Sequence, residues 1–330
     1  MDWSATTVLV TGGTGSFGRR FVQHALAELH PRKLIVFSRD ELKQHEMRDA
    51  FPEGPSSPIR YFVGDVRDRD RLGRALHGVD VVVHAAAMKQ VPACEYNPFE
   101  AVQTNIIGAK NVIDAAIDAG VTRVMALSTD KAVSPVNLYG ATKLVAEKLF
   151  VQANVYVGDR PTRFSCVRYG NVIGSRGSVV PRFVQQRASG RVTITDPRMT
   201  RFWLTLEQGV RFVVRCTTEM IGGEVFVPRL PSVSLLDVAR VLAPGCELDE
   251  IGVRSGEKLH EQLISDEEIP RTLERDGLFV IQPKDPWWQR DYQTGSAPVP
   301  PDFRYSSDVE GTRTLSEADL LSLLAEWQPR

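Results

Sequence analysis

The sequence predicts an α/β fold in which helices cover both faces of a doubly wound parallel sheet. Two observations carry this prediction. Short apolar runs alternate with helix-patterned stretches through the first half of the chain, and a glycine-rich turn joins the first run to the first helix. The length of 330 residues suggests about two domains. The composition, with 42% hydrophobic and 25% charged residues, excludes collagen-like and disordered chains.

Five short runs are the predicted strands of the sheet. Their apolar residues follow one another without alternation, which is typical of strands buried on both faces of a parallel sheet. The runs are 7–10, 34–37, 61–63, 79–83 and 124–127. The stretches predicted to form helices are 16–29, 40–50, 68–76, 98–119 and 137–154.

The alternation becomes irregular after about Tyr169. The segment 283–303, which contains Trp287 and Trp288, has the composition of an ordered coil or surface arm. The segment 315–327 has the pattern of a short amphipathic helix. The predicted division is a sheet domain over 1–172, to which part of 200–228 returns, and a smaller portion over 173–330.

Balanced charge and sparse cysteines narrow the function classes. Lysine and arginine total 40 and aspartate and glutamate 41, so the net charge of −1 argues against a nucleic-acid or anionic-membrane partner. The four cysteines lie far apart without a CxxC pair, and the six histidines lack ligand spacing, so neither a disulfide scaffold nor a metal site is predicted. The sequence has no signal segment and no run of about 18 apolar residues, so we expect a cytoplasmic protein.

A glycine-rich turn of the form Gly12-x-x-Gly15-x-x-Gly18 lies between the first predicted strand and the first predicted helix. Glycine permits a tight turn and a close approach of the backbone to pyrophosphate, and the helix N-terminus presents unpaired N–H groups to the anion. This context predicts the dinucleotide site of a Rossmann fold. The residues expected to contact the cofactor here are Gly12, Thr14, Gly15, Ser16, Phe17 and Gly18.

The end of the second predicted strand bears on the choice of cofactor. A site for NAD usually has a carboxylate about 20 residues past the glycines. Ser38 and Arg39 stand there, with Lys43 one helical turn further on. Arg39 can bind a 2′-phosphate, so NADP is favoured over NAD. The alternative is that Arg39 is solvated and Asp40 binds the ribose.

Two further strand ends provide cofactor contacts. Asp65, followed by Val66, ends the third strand, where its carboxylate could accept from the adenine amino group; the alternative is a helix N-cap. Ala85 and Ala86 follow the fourth strand, where small side chains let the backbone pass close to the cofactor. His84 is interpreted as a packed residue rather than a ligand.

The catalytic candidates follow the fifth strand. Ser128-Thr129-Asp130-Lys131 stands at its carboxyl end, where an open α/β sheet places its ligand crevice. Tyr139 and Lys143 come next, four residues apart and therefore on one face of a helix. A cation beside a phenol stabilises the phenolate, which lets tyrosine act as a base.

These residues resemble the extended short-chain dehydrogenase/reductases, and within them the inverting UDP-N-acetylglucosamine 4,6-dehydratases of the pseudaminic acid pathway type. The Asp130-Lys131 pair resembles the pair found in this branch, whereas dTDP-glucose dehydratases carry an Asp-Glu pair at the same positions. Retaining, membrane-attached members replace the residue at Tyr139 with methionine. The stretches that carry the resemblance are 11–18, 36–43, 85–98, 128–143, 168–181, 199–203 and 256–261.

The resemblance implies a lyase that uses NADP without net oxidation. Tyr139 would take the proton of the sugar 4-hydroxyl while hydride leaves carbon 4, with Ser128 or Thr129 holding that hydroxyl. Lys131 would take the proton on carbon 5, provided that burial and Lys143 lower its pKa. Asp130 would protonate the departing 6-hydroxyl. Hydride would then return to carbon 6.

The resemblance also implies the binding residues. Lys89 would lie near the sugar and the nicotinamide ribose, and Asn105 would order the active-site loop and is also expected among the substrate-binding residues. Val172 would touch the cofactor. The residues implied for the UDP-sugar, with diphosphate contacts for the first three and a ribose contact for the last, are Asn171, Arg201, Arg254 and Glu257.

Two other functions stay open from the sequence. One is a different enzyme of this group, either a retaining dehydratase or a UDP-sugar 4-epimerase, which would not need the Asp130-Lys131 pair. The other is an NADP-sensing protein without turnover, against which Tyr139 and Lys143 argue. By resemblance we expect a homo-oligomer, a dimer or an assembly of dimers, paired through the helices near 98–119 and 137–154.

Overall fold

A computed structural model describes residues 1–175, 178–284, 292, 294–309 and 315–325. Its strands are β1 (Thr7–Thr11), β2 (Lys33–Ser38), β3 (Ile59–Val63), β4 (Val81–His84), β5 (Arg123–Thr129), β6 (Arg163–Tyr169), β7 (Asn171–Val172), β8 (Arg191–Ile194), β9 (Thr200–Leu204), β10 (Val225–Pro228), β11 (Ser232–Ser234), β12 (Glu247–Glu250), β13 (Gln262–Ile264), β14 (Thr272–Arg275), β15 (Leu278–Ile281), β16 (Ala297–Pro298) and β17 (Tyr305–Ser306).

Its α-helices are α1 (Ser16–His24), α2 (Glu41–Ala50), α3 (Arg69–Ala75), α4 (Val91–Tyr96), α5 (Pro98–Val102), α6 (Gly108–Ala119), α7 (Leu138–Tyr156), α8 (Val179–Arg187), α9 (Leu206–Glu219), α10 (Leu235–Leu242) and α11 (Glu317–Ala325). Two π-helical turns, Ala25–Leu29 and Gln103–Ile107, continue α1 and join α5 to α6. Among the described residues no helix is long and apolar enough to cross a bilayer.

The predicted α/β fold with a parallel sheet is confirmed. Within the described residues a ten-stranded sheet has the order β3-β2-β1-β4-β5-β6-β10-β15-β14-β16. The pairs from β3 through to β10 are parallel, whereas β15, β14 and β16 add an antiparallel edge. The order 3-2-1-4-5-6 is that of a Rossmann fold, which binds its ligand at the carboxyl ends of the strands where the order reverses.

One expectation about an individual element was wrong. The run at 61–63 belongs to β3, an edge strand, so it is not buried on both faces and Val63 is 40% exposed. The predicted helical stretch over 98–119 is confirmed, and it contains a π-helical turn at Gln103–Ile107, which offsets the helix by an extra residue. Such turns often occur at functional sites, and this one contains Asn105.

The described residues pack into two main apolar cores. The larger lies on both faces of the sheet and includes residues of α9, β10 and β15, such as Val213, Phe226 and Phe279. The smaller lies among α8, α10 and α11 and includes Phe183, with Trp203 of β9. Trp287 and Trp288 lie outside the described residues. The division at residue 172 stays a prediction, and the strands of 272–281 join the large sheet.

A buried ion network ties the C-terminal residues to the sheet. The Arg168 guanidinium on β6 donates to Glu147 on α7 at 3.1 Å, and to Glu268 and the Leu263 carbonyl at 2.8 and 2.9 Å. Burial opposes the ionisation of Glu268, but Arg168 outweighs it and lowers the pKa of Glu268 to about 2. Because each charge is paired, the network fixes β6, α7 and the 263–268 segment to one another.

Candidate active site

A cavity of about 780 Å³ runs along the carboxyl ends of the parallel strands. One end is lined by the glycine turn and the ends of β2 and β3, and the other by the segments 193–201 and 254–261. The residues between them include the catalytic candidates after β5. Its size and elongated lining suit two ligands that meet in the middle.

The glycine turn has the shape that a pyrophosphate requires. A Cβ atom at Gly18 would lie 2.5 Å from Gly13 Cα and 2.6 Å from the Gly12 carbonyl oxygen. Gly12 has φ +64°, and a Cβ atom there would meet Ala86 Cα at 2.9 Å. Helix α1 begins at Ser16 without a side-chain cap, and its first residues line the cavity. The cradle therefore fits the diphosphate of a dinucleotide.

The side chain of Thr11 holds the start of the loop that follows β4. Thr11 Oγ1 accepts from the amides of Ala85 and Ala86 at 3.1 and 3.2 Å and contacts His84 Nδ1 at 2.8 Å. Burial, reinforced by the charge of Lys143, lowers the pKa of His84 to about 3. His84 is thus a buried, neutral packing residue, as its sequence context indicates.

The end of the cavity beside β2 and β3, called the adenosine end below, brings together the residues expected to select the cofactor. Ser38 Oγ lies 2.8 Å from Thr14 Oγ1, and the Asp40 carboxylate caps α2 at the Lys43 amide and pairs with the Lys43 amine. The Arg39 side chain is 57% exposed and its guanidinium lies 3.5 Å from Asp65. The exposed Arg39 guanidinium is thus available to an anionic group at this end of the cavity.

Asp65 is not a helix N-cap, so that alternative is wrong. The cap of α3 is Asp68, which accepts from the Arg71 amide at 2.9 Å. The Asp65 carboxylate accepts from the Arg67 amide and guanidinium, both at 3.0 Å. Asp65 and the neighbouring Val66 both line the cavity.

The catalytic candidates at the carboxyl end of β5 lie close to one another. Asp130 is 1% exposed and accepts from Thr129 Oγ1 at 2.8 Å, while Lys131 Nζ lies 3.1 Å from the same carboxylate. Helix α7 packs closely on this turn, since a Cβ atom at Gly140 would lie 2.1 Å from the Lys131 carbonyl oxygen. Asp130 Oδ2 and Ser128 Oγ have no hydrogen-bond partner among the described residues. These two oxygens are therefore free to contact a substrate.

Lys131 lies between two carboxylates, one of which the sequence did not reveal. Its Nζ is 3.3 Å from Glu261 Oε1 in addition to its contact with Asp130. Burial lowers the pKa of Lys131, but the charges of Asp130 and Glu261 raise it by more, so the net shift is upward. The expected lowering is therefore wrong for the chain by itself, and Lys131 rests as an ammonium.

Tyr139 and Lys143 share one face of α7, but they act on different neighbours. Tyr139 is hydrogen-bonded to Thr129, and burial raises the pKa of Tyr139 to about 12 against the opposing charge of Lys131. Lys143 Nζ donates to the Leu127 carbonyl at 2.6 Å, and burial lowers its pKa. The cation that favours the Tyr139 phenolate here is thus Lys131, which corrects the expectation that Lys143 has this effect.

Asn105 holds the loop above it rather than facing the cavity. Its amide accepts from the Met88 amide at 2.8 Å and donates to the Met88 carbonyl and Thr142 Oγ1 at 2.9 and 3.0 Å. This side chain is 2% exposed and does not line the cavity, which corrects the expectation of a substrate contact. Lys89, in the loop that Asn105 holds, does line the cavity.

Most of the predicted UDP-sugar residues line the far end of the cavity. Asn171, Arg254 and Glu257 line the cavity, and Arg254 lies 3.8 Å from Glu257. Val172, which was predicted to touch the cofactor, also lines the cavity. Arg201 also lines it, but its terminal nitrogens already donate to the carbonyls of residues 200, 258 and 259 at 2.7, 2.9 and 2.8 Å. The expected diphosphate contact of Arg201 is thus corrected to a role in holding that loop.

Several cavity residues were missed by the sequence reasoning. They are Gln90, Tyr169, Arg182, Lys258 and Glu261. The stretch 256–261 contributed to the resemblance, but nothing in the sequence indicated that Glu261 reaches Lys131. Among the described residues no group of three or more His, Cys, Asp or Glu side chains could hold a metal ion.

Comparison with known proteins identifies the relatives of the chain. A family model described as polysaccharide biosynthesis protein matches residues 8–283. A UDP-N-acetylglucosamine 4,6-dehydratase (inverting) from Campylobacter jejuni is 49% identical over 98% of both chains. A UDP-glucose 4-epimerase from Rickettsia conorii is 42% identical over 80% of this chain and 79% of its own.

Solved structures agree with this relationship. Pen from Bacillus thuringiensis matches with a TM-score of 0.90 and 38% identity, over 99% of both chains. DesIV from Streptomyces venezuelae, a dTDP-glucose 4,6-dehydratase with NAD and TYD bound, shares the fold, with a TM-score of 0.68 and 24% identity over 77% of this chain and 86% of its own. With a family model and a relative close to half identical both covering most of its length, the chain belongs to the polysaccharide biosynthesis protein family of extended short-chain dehydrogenase/reductases.

Proposed function

We propose that the protein is a UDP-N-acetylglucosamine 4,6-dehydratase that inverts carbon 5 and forms UDP-2-acetamido-2,6-dideoxy-β-L-arabino-hex-4-ulose. The observation that carries the proposal is the buried Asp130-Lys131 pair beside Tyr139, on the wall of a cavity that begins at the glycine turn. Elimination of water needs a base for carbon 5 and an acid for the 6-hydroxyl, whereas an epimerase does not need this additional pair. The near-full-length similarity to the Campylobacter enzyme supports the same reaction.

The first task of the chain is to bind and orient the sugar 4-hydroxyl. Ser128 Oγ, which is buried and unpartnered among the described residues, is available to hold it. Tyr139 would accept its proton, and the hydrogen bond of Tyr139 with Thr129 fixes the phenol. A bound nicotinamide dinucleotide would supply the hydride acceptor, the later hydride donor and a positive charge near Tyr139.

Asp130 and Lys131 together hold one mobile proton. Transfer of a proton from the Lys131 ammonium to the Asp130 carboxylate, across their 3.1 Å contact, would make an amine and a carboxylic acid at once. The amine then takes the proton from carbon 5, which a ketone at carbon 4 acidifies, and the acid gives its proton to the departing 6-hydroxyl. Water leaves and both side chains return to their resting charges. Return of the hydride to carbon 6 and delivery of a proton to the opposite face of carbon 5 would then form the methyl group and invert carbon 5.

NADP is the cofactor that we propose within the broader nicotinamide class. The support is the absence of a free carboxylate at the end of β2, since Asp40 caps α2 and pairs with Lys43. Arg39 is exposed at the same place and can approach a 2′-phosphate. Gly12, Thr14, Gly15, Ser16, Phe17 and Gly18 would hold the pyrophosphate.

The remaining parts of the proposal concern assembly and location. Large apolar side chains are exposed on and beside the helices expected to pair, with Tyr96 and Phe99 at 88% and 82% exposure. Burial of this surface against a second copy supports a homodimer or an assembly of dimers. All four cysteines are free thiols, which suits a reducing cytoplasm where nucleotide sugars are made. We also propose that 1–172 mainly binds the cofactor and 173–330 mainly the UDP-sugar.

Proton NMR of the purified protein with UDP-N-acetylglucosamine and catalytic NADP in deuterated water tests the reaction. A new methyl signal at carbon 6, deuterium at carbon 5 and the couplings of the L-arabino sugar are expected. A D-xylo product would leave a retaining dehydratase, and a galacto product without a methyl would mean a 4-epimerase, the activity named for the Rickettsia relative.

The same assay separates an enzyme from a sensor of NADP. Tyr139→Phe removes the phenolic oxygen and leaves the ring packing, so turnover should fall by about a hundredfold or more. The protein is not an enzyme if the wild-type spectrum stays unchanged with every UDP-sugar tried. An undiminished turnover in the Phe variant would refute the role given to Tyr139.

A further inference from the structure

Glu261 is a buried carboxylate at the substrate end of the cavity. Its side chain is 3% exposed, and its Oε1 lies 3.3 Å from Lys131 Nζ. The residue stands just before β13, and its backbone amide and carbonyl bond to Ser307 at 3.0 and 2.9 Å. Glu261 is thus rigidly placed by the C-terminal part of the chain, whereas Lys131 belongs to the turn after β5.

Two further cations accompany Glu261. Its Oε2 lies 3.7 Å from Lys258 Nζ, and Oε1 lies 4.0 Å from Arg201 Nε. Lys258 Nζ also donates to the Val133 carbonyl at 2.6 Å, two residues beyond Lys131. A buried carboxylate needs such partners, because an unpaired charge in the interior is costly. The cluster therefore joins the 258–261 segment to the turn that carries Lys131.

We propose that Glu261 is a positioning residue for the dehydration step, because its carboxylate gives the amine of Lys131 a second contact in addition to Asp130. The inference rests on the proposed function, which gives Lys131 the proton of carbon 5. A lysine amine ends a flexible four-carbon stem, and a contact with its chain neighbour Asp130 leaves the stem free to swing. A second contact from a separate element removes that freedom and aligns the amine.

Glu261 also influences the charge of Lys131. The charged and titratable groups that face the Lys131 amine are Asp130, Tyr139, Arg201, Lys258 and Glu261. Burial and Arg201 lower the pKa of Lys131, and the two carboxylates raise it. Removal of the Glu261 charge leaves one carboxylate against the same cations, so the pKa of Lys131 must fall. The Lys131 ammonium, which would supply the proton to Asp130, would then be lost at a lower pH.

The test compares Glu261→Gln with Glu224→Gln in the full chain. Glu224 is also a buried carboxylate, 2% exposed, but it accepts from Ser165 and the amides of 221 and 222 and does not line the cavity. The rate of methyl formation at saturating UDP-sugar is measured by NMR from pH 6 up to the highest pH at which the wild-type protein stays folded, together with the KM for the sugar. Deuterium at carbon 5 reports the proton step.

In Glu261→Gln the rate at neutral pH should fall by about a hundredfold. The alkaline limb of its pH profile should move to lower pH, with a much smaller change in KM. Glu261→Asp should restore the alkaline limb and part of the rate, since it keeps the charge. Glu224→Gln should keep the wild-type pH profile, whatever its thermal stability.

Two results would overturn the inference. One is a Glu261→Gln profile that keeps the wild-type alkaline limb while the rate falls equally at every pH, since a merely structural role predicts that. The other is wild-type rate and KM in Glu261→Gln. Failure of the proposed function looks different, because the wild-type protein would then form no methyl product at all.

Discussion

The two ends of the cavity are built in different ways. At the cofactor end, some contacts join residues close in sequence, such as Thr14 with Ser38 and Asp40 with Lys43, separated by 24 and 3 positions, and the bonds of Thr11 to Ala85 and Ala86 span 74 and 75. At the substrate end, Lys258 bonds to the Val133 carbonyl across 125 positions, and Asn137 bonds to the Gly256 carbonyl across 119. These cofactor-end contacts therefore lie within residues 11–86, whereas the substrate end joins segments more than 100 positions apart.

The two ends also use different chemistry. Glycine backbone and a helix N-terminus form the cofactor end, so little charge is buried there. The substrate end buries the carboxylates Asp130 and Glu261 with the cation Lys131. Each of these charges is tolerable only beside its partners, which makes the substrate end sensitive to single changes. Substitutions at the two ends should accordingly fail in different assays.

The largest effect is expected for Lys131→Met. The change removes the amine that exchanges the proton of carbon 5, so methyl formation should fall by about a thousandfold. The dissociation constant for the dinucleotide should change by less than about threefold, since the glycine turn is built independently. NMR of the product and titration of the cofactor measure the two quantities. Loss of cofactor affinity together with turnover would show that the two ends are not independent.

The same difference between the two ends of the cavity explains how much of each end could be predicted from the sequence. The turn from Gly12 to Gly18 and the catalytic set Asp130, Lys131 and Tyr139 are short, ordered patterns with a recognisable chemical purpose. Glu261 has no such pattern, because its function depends on a contact made in three dimensions. The predicted lowering of the Lys131 pKa was wrong in part for this reason, because Glu261 adds to the upward effect of Asp130.

Arg201 and Asn105 show a second limit of sequence reasoning. Both residues were assigned to the substrate, and both are placed near the site. Their donors are instead taken by backbone carbonyls of the loops at 258–259 and 88. A sequence pattern can indicate that a polar residue belongs to a site, but hydrogen-bond partners decide whether it contacts the ligand or its supporting loop.

A smaller effect, confined to the cofactor end, is expected for Gly18→Ala. The added methyl group would overlap Gly13 Cα and the Gly12 carbonyl, so the turn must shift at a cost of roughly 1–3 kcal/mol. This corresponds to a rise of about fivefold to 150-fold in the dissociation constant for the dinucleotide. Turnover at saturating cofactor should fall much less.

Gly73→Ala is the matched control for this change. Gly73 lies in α3 with no atom within 4 Å of an added Cβ, so alanine there should leave cofactor affinity unchanged. It should also stabilise the helix by about 0.5–1 kcal/mol, visible in thermal denaturation. Equal cofactor affinity in the Gly18 and Gly73 variants would contradict the tight packing assigned to the turn.

The smallest effect separates the two nicotinamide cofactors. Arg39→Ala should raise the dissociation constant for NADP by about tenfold, equivalent to about 1.4 kcal/mol, and leave that for NAD within about twofold. The effect is modest because the Arg39 side chain is 57% exposed, and water and salt weaken its attraction for a phosphate. Added salt should accordingly reduce wild-type affinity for NADP more than for NAD.

Arg69→Ala is the control for a general loss of positive charge. Arg69 is 52% exposed and pairs with Asp118 away from the cavity, so its removal changes the net charge equally without touching the adenosine end. Unequal losses for NADP and NAD in Arg39→Ala, absent from Arg69→Ala, would assign the 2′-phosphate to Arg39. Equal losses for both cofactors would instead mean that Arg39 serves the shared part of the dinucleotide, through its 3.5 Å contact with Asp65. In that case a carboxylate, not the arginine, selects the ribose, and the local architecture of this end suits NAD.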